Sequence, residues 1–172
     1  MERKLNADDL RSLFGDLAEE LARRGVRGEV HLAGGAAMSL EYHSDLLSGD
    51  ADAQFAPDGP MIEAVHAVAA KRGLARSWLN NQASVYFSVL AKPGKTVFAH
   101  PNLVVMVTPA DHLAAMKLLA SRATRDRDDL LLLVDYLGWS RRDDLLAAVS
   151  DYFPHEELGP RQRAMLDSLG LA

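Results

Sequence analysis

The sequence predicts an α/β (α+β) fold, a small sheet flanked by helices, followed by a helical C-terminal segment. Three observations carry that expectation. Residues 50–55 alternate polar and apolar, the period-two mark of a half-buried strand. On either side of them, Leu10, Leu13, Phe14, Leu17 and Leu21, and then Ile62, Val65, Val68 and Ala69, recur at helical spacing. After about residue 109 only helical spacing is found. The expected organisation is an α/β core over 1–109 and a helical part over 110–172, packed as one folded unit.

The elements follow in order. Asn6 is a suitable cap for the first helix, with Asp8 and Asp9 in the first turn, where the helix dipole favours negative charge, and Gly25 as the stop. Residues 29–33 read as a short strand running into Gly34-Gly35, and 36–42 as a helix. After the 50–55 strand, Pro57-Asp58-Gly59-Pro60 makes a turn. A helix over 61–72, with Ile62 on its inner face, ends at Gly73. Residues 85–90 and 96–99 read as a hairpin around Lys92-Pro93-Gly94, and 103–107 as another strand. Thr108 is the expected cap of a helix reaching about Arg122. Further helices are expected over about 126–137, from Ser140 to before Pro154, and from Pro160.

Composition narrows the function classes. Apolar residues are 48% and charged residues 25%, enough to build a core and too balanced for a disordered chain. The apolar runs, such as 130–134, fall far short of the roughly 18–20 residues that span a bilayer, and the N-terminus carries no secretory signal pattern. With no cysteine, disulfides, thiolate nucleophiles and Cys-based zinc sites are excluded, and a cytoplasmic location is expected. A net charge of −5 argues against coating nucleic acid with the whole surface. Arg122, Arg125, Arg127, Arg141 and Arg142 alternate with Asp126, Asp128, Asp129, Asp143 and Asp144, which reads as a solvated mixed-charge surface. The histidines, His43 among them, show no metal-ligand spacing, and Ser39, Ser44 and Ser84 lack a nucleophile-elbow context.

The chemistry-bearing pattern is Gly34-Gly35 followed by Asp50-Ala51-Asp52. Side chains two apart on a strand share a face, so Asp50 and Asp52 place two carboxylates close together. Such a pair repels itself unless a cation lies between, and Mg2+ accepts hard oxygen ligands shared with phosphate. A strand, two glycines and a helix start offer backbone N–H groups to an anion. Lys117 stands on the apolar stripe of Leu113, Met116 and Ala120, where an ammonium must either snorkel or find a partner. Asp129, set among leucines, is a candidate companion. The Trp78-Leu79-Asn80-Asn81 segment reads either as a nucleotide cover, Trp78 stacking and Asn80 reading an edge, or as a hydrophobic plug with a capping Asn.

These pieces, with Lys117-Leu-Leu-Ala-Ser-Arg and Arg125-Asp-Arg-Asp-Asp-Leu, resemble the nucleotidyltransferases of the polymerase-beta fold. The resemblance runs over about 25–138 and is closest to AbiEii-like toxins and related short bacterial proteins. It implies a small mixed sheet of nucleotidyltransferase type. It also implies Mg2+ on Asp50 and Asp52, phosphates at Gly34 and Gly35, and a phosphate contact from Ser48. Lys117 would touch the triphosphate, and Asp126 and Asp129 would complete that polar edge. The activity implied is transfer of a nucleoside monophosphate from a nucleoside triphosphate to an acceptor hydroxyl, with RNA as acceptor and a cognate antitoxin as partner. The chain departs from the pattern in two places. Leu46, Leu47 and Gly49 stand where an arginine is usual, and neither 85–90 nor 103–107 supplies a third carboxylate, with only His100 and Asn102 nearby. The alternatives are a catalytically decayed binder of nucleotide or partner protein, and transfer to a small molecule.

Overall fold

The computed structural model describes residues 3–42 and 45–172, so His43 and Ser44 lie outside the described residues. The fold is mixed α/β, with one five-stranded mixed sheet flanked by helices and a helical C-terminal part. The chain divides into two compact units, Met1–Val85 with Pro93–Thr108, and Tyr86–Lys92 with Pro109–Ala172.

The first unit opens with α1, Ala7–Arg23. Asp9 N–H donates to Asn6 Oδ1 at 2.8 Å and Asn6 N–H donates to the Asp9 carboxylate at 3.1 Å, a reciprocal capping box. Leu10, Leu13, Phe14, Leu17 and Leu21 are at most 3% exposed, each contributing on the order of 1.5–3 kcal/mol of transfer free energy. Phe14 packs against Trp78 and Phe98, with ring centroids 6.4 and 6.0 Å away.

Strands β1 (Gly28–Leu32), β2 (Ala51–Ala56), β3 (Leu79–Asn80), β4 (Lys95–His100) and β5 (Leu103–Val107) lie in the order β3-β2-β1-β5-β4. β1 is antiparallel to β2 and parallel to β5, while β3 is parallel to β2 and β4 antiparallel to β5. Val30, Leu32, Ala51, Ala53, Phe55, Leu103, Val105 and Val107 are buried. The other face carries Glu29, His31, Asp52, Gln54, Val104 and Met106, as the period-two reading of β2 requires. Between β1 and β2 lie α2, Gly34–Ala37, and a wider π-type turn over Met38–Tyr42.

Two expectations for the elements between residues 58 and 92 are corrected. Helix α3 spans Asp58–Arg72, and its buried stripe is Met61, Ala64, Val65, Val68 and Ala69, leaving Ile62 37% exposed. The stripe at i, i+3, i+4, i+7 and i+8 starts one residue earlier than the apolar spacing alone implied. The expected 85–90 strand is absent. Val85 and Tyr86 close a 3₁₀ turn, Gln82–Tyr86, and the hairpin is formed by β4 and β5. In 86–92 the backbone is spent on a turn, with Leu90 N–H donating to Ser88 Oγ at 2.9 Å and Ala91 N–H to Ser88 O at 3.2 Å.

The second unit holds α4 (Ala110–Ala120), α5 (Ala123–Leu137), α6 (Arg142–Tyr152) and α7 (Pro160–Ser168). α4 packs against α5, α6 and α7, its Leu113, Ala114 and Leu118 are at most 1% exposed, and Leu130, Leu133 and Leu145 are also in the core. Caps differ from expectation in two places. Thr108 does not cap α4, because its hydroxyl donates to Leu32 O at 2.7 Å within the first unit. Ser140 does not cap α6. Arg141 is the cap residue, and its N–H donates to the Asp144 carboxylate at 3.2 Å. Pro160 opens α7 as expected. Among the described residues no helix is long and apolar enough to cross a membrane.

Candidate functional site

In the sheet unit Gly34 and Asp52 meet. Gly34 leaves β1 in the left-handed region, φ +58°, which a side chain resists. Its neighbour Ala33 donates its N–H to Asp52 O at 2.8 Å, joining the end of β1 to β2. A Cβ on Gly34 would stand 3.1 Å from Asp52 Oδ2, so the Asp52 carboxylate lies directly against the glycine. Only a residue without a side chain leaves backbone and carboxylate this close at no cost. Gly35 follows, partly exposed, in the first turn of α2. The end of this segment is anchored by Tyr42, whose hydroxyl donates to Thr108 O at 2.9 Å, just past β5.

Asp50 precedes β2 and is partly exposed, like Asp52. Its backbone is held from both sides. Ser48 is 3% exposed, exchanges backbone hydrogen bonds with Leu5 at 2.7 and 2.9 Å, and donates its hydroxyl to the Asp50 carbonyl. That hydroxyl serves the Asp50 turn, whereas the resemblance assigned it to a phosphate. The next residue, Ala51, donates its N–H to Trp78 O at 2.7 Å, and Asp52 is the ladder partner of Asn80. Asn80 Nδ2 lies 3.4 Å from Asp50 Oδ2 and is a donor to it. Trp78 is 2% exposed and donates Nε1–H to Val65 O at 3.1 Å, so it is the plug and not a surface for stacking a base.

The donor set can be tested against Mg2+. The face of the sheet carrying Asp52 and Gln54 continues across β1 at His31, whose partner on β5 is Met106. No acid stands on that part of β5, and among the described residues no group of three His, Asp or Glu side chains is arranged for a metal. Two partly exposed carboxylates suit an ion that keeps most of its positions for water and phosphate, the usual habit of Mg2+. They do not make an all-protein cage.

Lys117, Asp126 and Asp129 come together in the helical unit. Lys117 Nζ donates to Asp129 Oδ2 at 2.6 Å and stands 3.7 Å from Asp126 Oδ1. Lys117 is 5%, Asp126 0% and Asp129 7% exposed. Asp126 Oδ2 also accepts Arg122 N–H at 2.6 Å and Arg122 Nε–H at 3.2 Å. Asp126 and Asp129 are therefore buried ion-pair members, which corrects their assignment to a solvated surface. Asp129 as the companion of Lys117 is what the structure has.

The same unit buries His112, at 0% exposure, stacked on the Tyr152 ring with centroids 4.3 Å apart. Ser88 N–H donates to its Nε2 at 3.3 Å, so the ring proton resides on Nδ1, which has no partner among the described residues. Burial pulls the imidazole down to about 4, against a smaller upward pull from Asp111. Burial also raises the Tyr152 phenol, whose hydroxyl donates to Asp111 Oδ2 at 3.0 Å.

The chain matches no protein-family profile, no curated protein and no solved structure. Asn80 is the capping Asn of the plug reading, its Oδ1 accepting Gln82 N–H at 3.1 Å at the start of the 3₁₀ turn, while its contact with Asp50 is the part that the sequence does not reveal. Its strand has two residues, too short to show a period, and only the pairing of β3 with β2 brings it to Asp50.

Proposed function

We propose that this chain is a magnesium-dependent nucleotidyltransferase of the polymerase-beta superfamily type, moving a nucleoside monophosphate from a nucleoside triphosphate to an acceptor hydroxyl. The observation that carries the reading is the seat of the Asp52 carboxylate against Gly34, with a Cβ position only 3.1 Å from Oδ2. An anion docked on the backbone at Gly34 and Gly35 would adjoin the Asp52 carboxylate, and it would need a cation between. Asp50 and Asp52 would hold that ion, which neutralises phosphate charge when bound. The chain's own residues supply position. The hydroxyl of Ser48 supports the Asp50 turn, and Ala33 N–H ties Asp52 to the end of β1. Chemistry of this class depends mainly on positioning and charge neutralisation. The resemblance to AbiEii-like toxins supports an RNA end as the acceptor and an antitoxin protein as partner. Lys117 is given no triphosphate contact in this reading, because its ammonium is engaged with Asp129.

The test is thermal unfolding with each nucleoside triphosphate and Mg2+. A ligand at 100 times its dissociation constant stabilises by about 2.7 kcal/mol, which is roughly 5–11 °C for a chain of this size. That rise is expected in the wild type and not in Asp50→Asn plus Asp52→Asn. No rise with any triphosphate overturns the proposal. A second reading, a binder without turnover, is favoured by the lack of a carboxylate on β5, across β1 from the pair. It is distinguished by a stabilising triphosphate whose labelled α-phosphate reaches no RNA and no hydroxylated small molecule.

A further inference from the structure

We propose that Asn80 is a positioning residue of this site, orienting the Asp50 carboxylate without adding a charge of its own; the role it serves rests on the metal-binding reading above. The amide of Asn80 cannot be turned over. Its Oδ1 accepts Gln82 N–H at 3.1 Å and its Nδ2 donates to Ser77 O at 3.2 Å. A flipped amide would set oxygen against the Ser77 carbonyl and N–H against the Gln82 N–H. Two backbone groups, which cannot change roles, thus decide the assignment. The remaining N–H of Nδ2 is thereby directed at Asp50 Oδ2, 3.4 Å away.

The residue is also fixed in place. Asn80 is 8% exposed and sits opposite Asp52 in the β2–β3 ladder, while Leu79 beside it is 2% exposed. One short strand therefore registers a single amide against both aspartates of the Asp-x-Asp pattern. The chemistry of the donor matters. A lysine or arginine here would orient Asp50 but neutralise it, and would compete with a cation for the same oxygens. A neutral amide orients one oxygen without itself adding a compensating positive charge. Carboxylates that ligate metals are commonly held by outer hydrogen bonds of this kind, and losing one costs about 10–100-fold in metal affinity.

The experiment uses the full chain and the variant Asn80→Ser, with three readouts on the same samples. The first is the set of three-bond couplings that report Asp50 χ1, measured without metal. One populated rotamer is expected in the wild type and a changed set of Asp50 couplings in Asn80→Ser, with the Asp52 couplings little changed. The second is Mn2+ affinity by electron paramagnetic resonance, expected to weaken by about tenfold or more in Asn80→Ser. The third is the melting temperature. A lower melting temperature with unchanged Asp50 couplings makes Asn80 merely structural and overturns the proposal. So does an averaged Asp50 rotamer in the wild type. If the wild type binds no Mn2+ while the Asp50 couplings respond to Asn80→Ser, the metal-binding reading fails and the orienting contact stands.

Discussion

Replacing Lys117 with methionine keeps the length of the side chain and deletes its charge. Lys117 is 5% exposed, with Nζ 2.6 Å from Asp129 and 3.7 Å from Asp126. Were the pair on the surface, its loss would cost about 0–1 kcal/mol. Here the deletion leaves Asp129, 7% exposed, without the ammonium that compensates it, and breaking one side of a buried pair costs about 3–5 kcal/mol. That is a large part of a typical folding stability of about 5–15 kcal/mol. It corresponds to a fall in melting temperature of roughly 6–20 °C. Asp126 loses less, because Arg122 N–H still donates to it at 2.6 Å. Urea unfolding followed by circular dichroism measures the loss, and the double variant Lys117→Met plus Asp129→Leu tests its origin. Removing both charges leaves an apolar contact in a core of Leu113, Leu118, Leu130 and Leu133, so the double variant is expected to recover much of the stability. A loss below about 1 kcal/mol in Lys117→Met, or no recovery in the double variant, refutes the burial argument. Unchanged stability together with a lost response to triphosphate would make Lys117 a ligand and not a strut.

Two further outcomes follow from the geometry. The folded-state pKa of His112 is lowered to about 4 from an ordinary 6.5, so between those values the unfolded chain binds the extra proton. Its contribution is thus present above pH 6.5 and is lost as the pH falls towards 4, by on the order of 3 kcal/mol in all. Urea midpoints from pH 7 to 4.5 should fall more steeply for wild type than for His112→Phe, and equal slopes would contradict this. Gly34→Ala meets both a positive φ and a 3.1 Å approach to Asp52 Oδ2. A loss of about 1–2 kcal/mol from the backbone is expected, together with loss of the Mg2+-triphosphate stabilisation. Retention of that response would separate Gly34 from the site.

The local pattern of the chain decided the structure where the determining forces are local. Asn6 and Asp9 form the capping box because each supplies the partner the other's backbone needs three residues away. The alternation through β2 put Asp52 and Gln54 opposite Ala51, Ala53 and Phe55, since a strand turns each side chain to the other face. The local pattern did not decide where it was compatible with two environments. The apolar residues of 85–90 carry strand propensity, yet Ser88 diverts its backbone into a turn and to His112. The alternating charges around Asp126 and Asp129 resemble a surface, but burial depends on which face of α5 meets α4, which composition does not encode.

The sequence by itself determined the class of fold, the order of most elements and the residue types able to hold a hard cation beside glycine backbone. Those follow from periodicity, from caps and from the ligand preference of carboxylates, and each acts over a few residues. Only the tertiary structure decided that Asp52 rests on Gly34, that Asn80 faces Asp50, and that Lys117 is engaged with Asp129. Asp52 and Gly34 are brought together by an antiparallel register, Asn80 and Asp50 by a two-residue strand, and Lys117 and Asp129 by the packing of two helices. Contacts between residues distant in the chain depend on how whole elements bury their apolar faces. No short window of sequence contains that information.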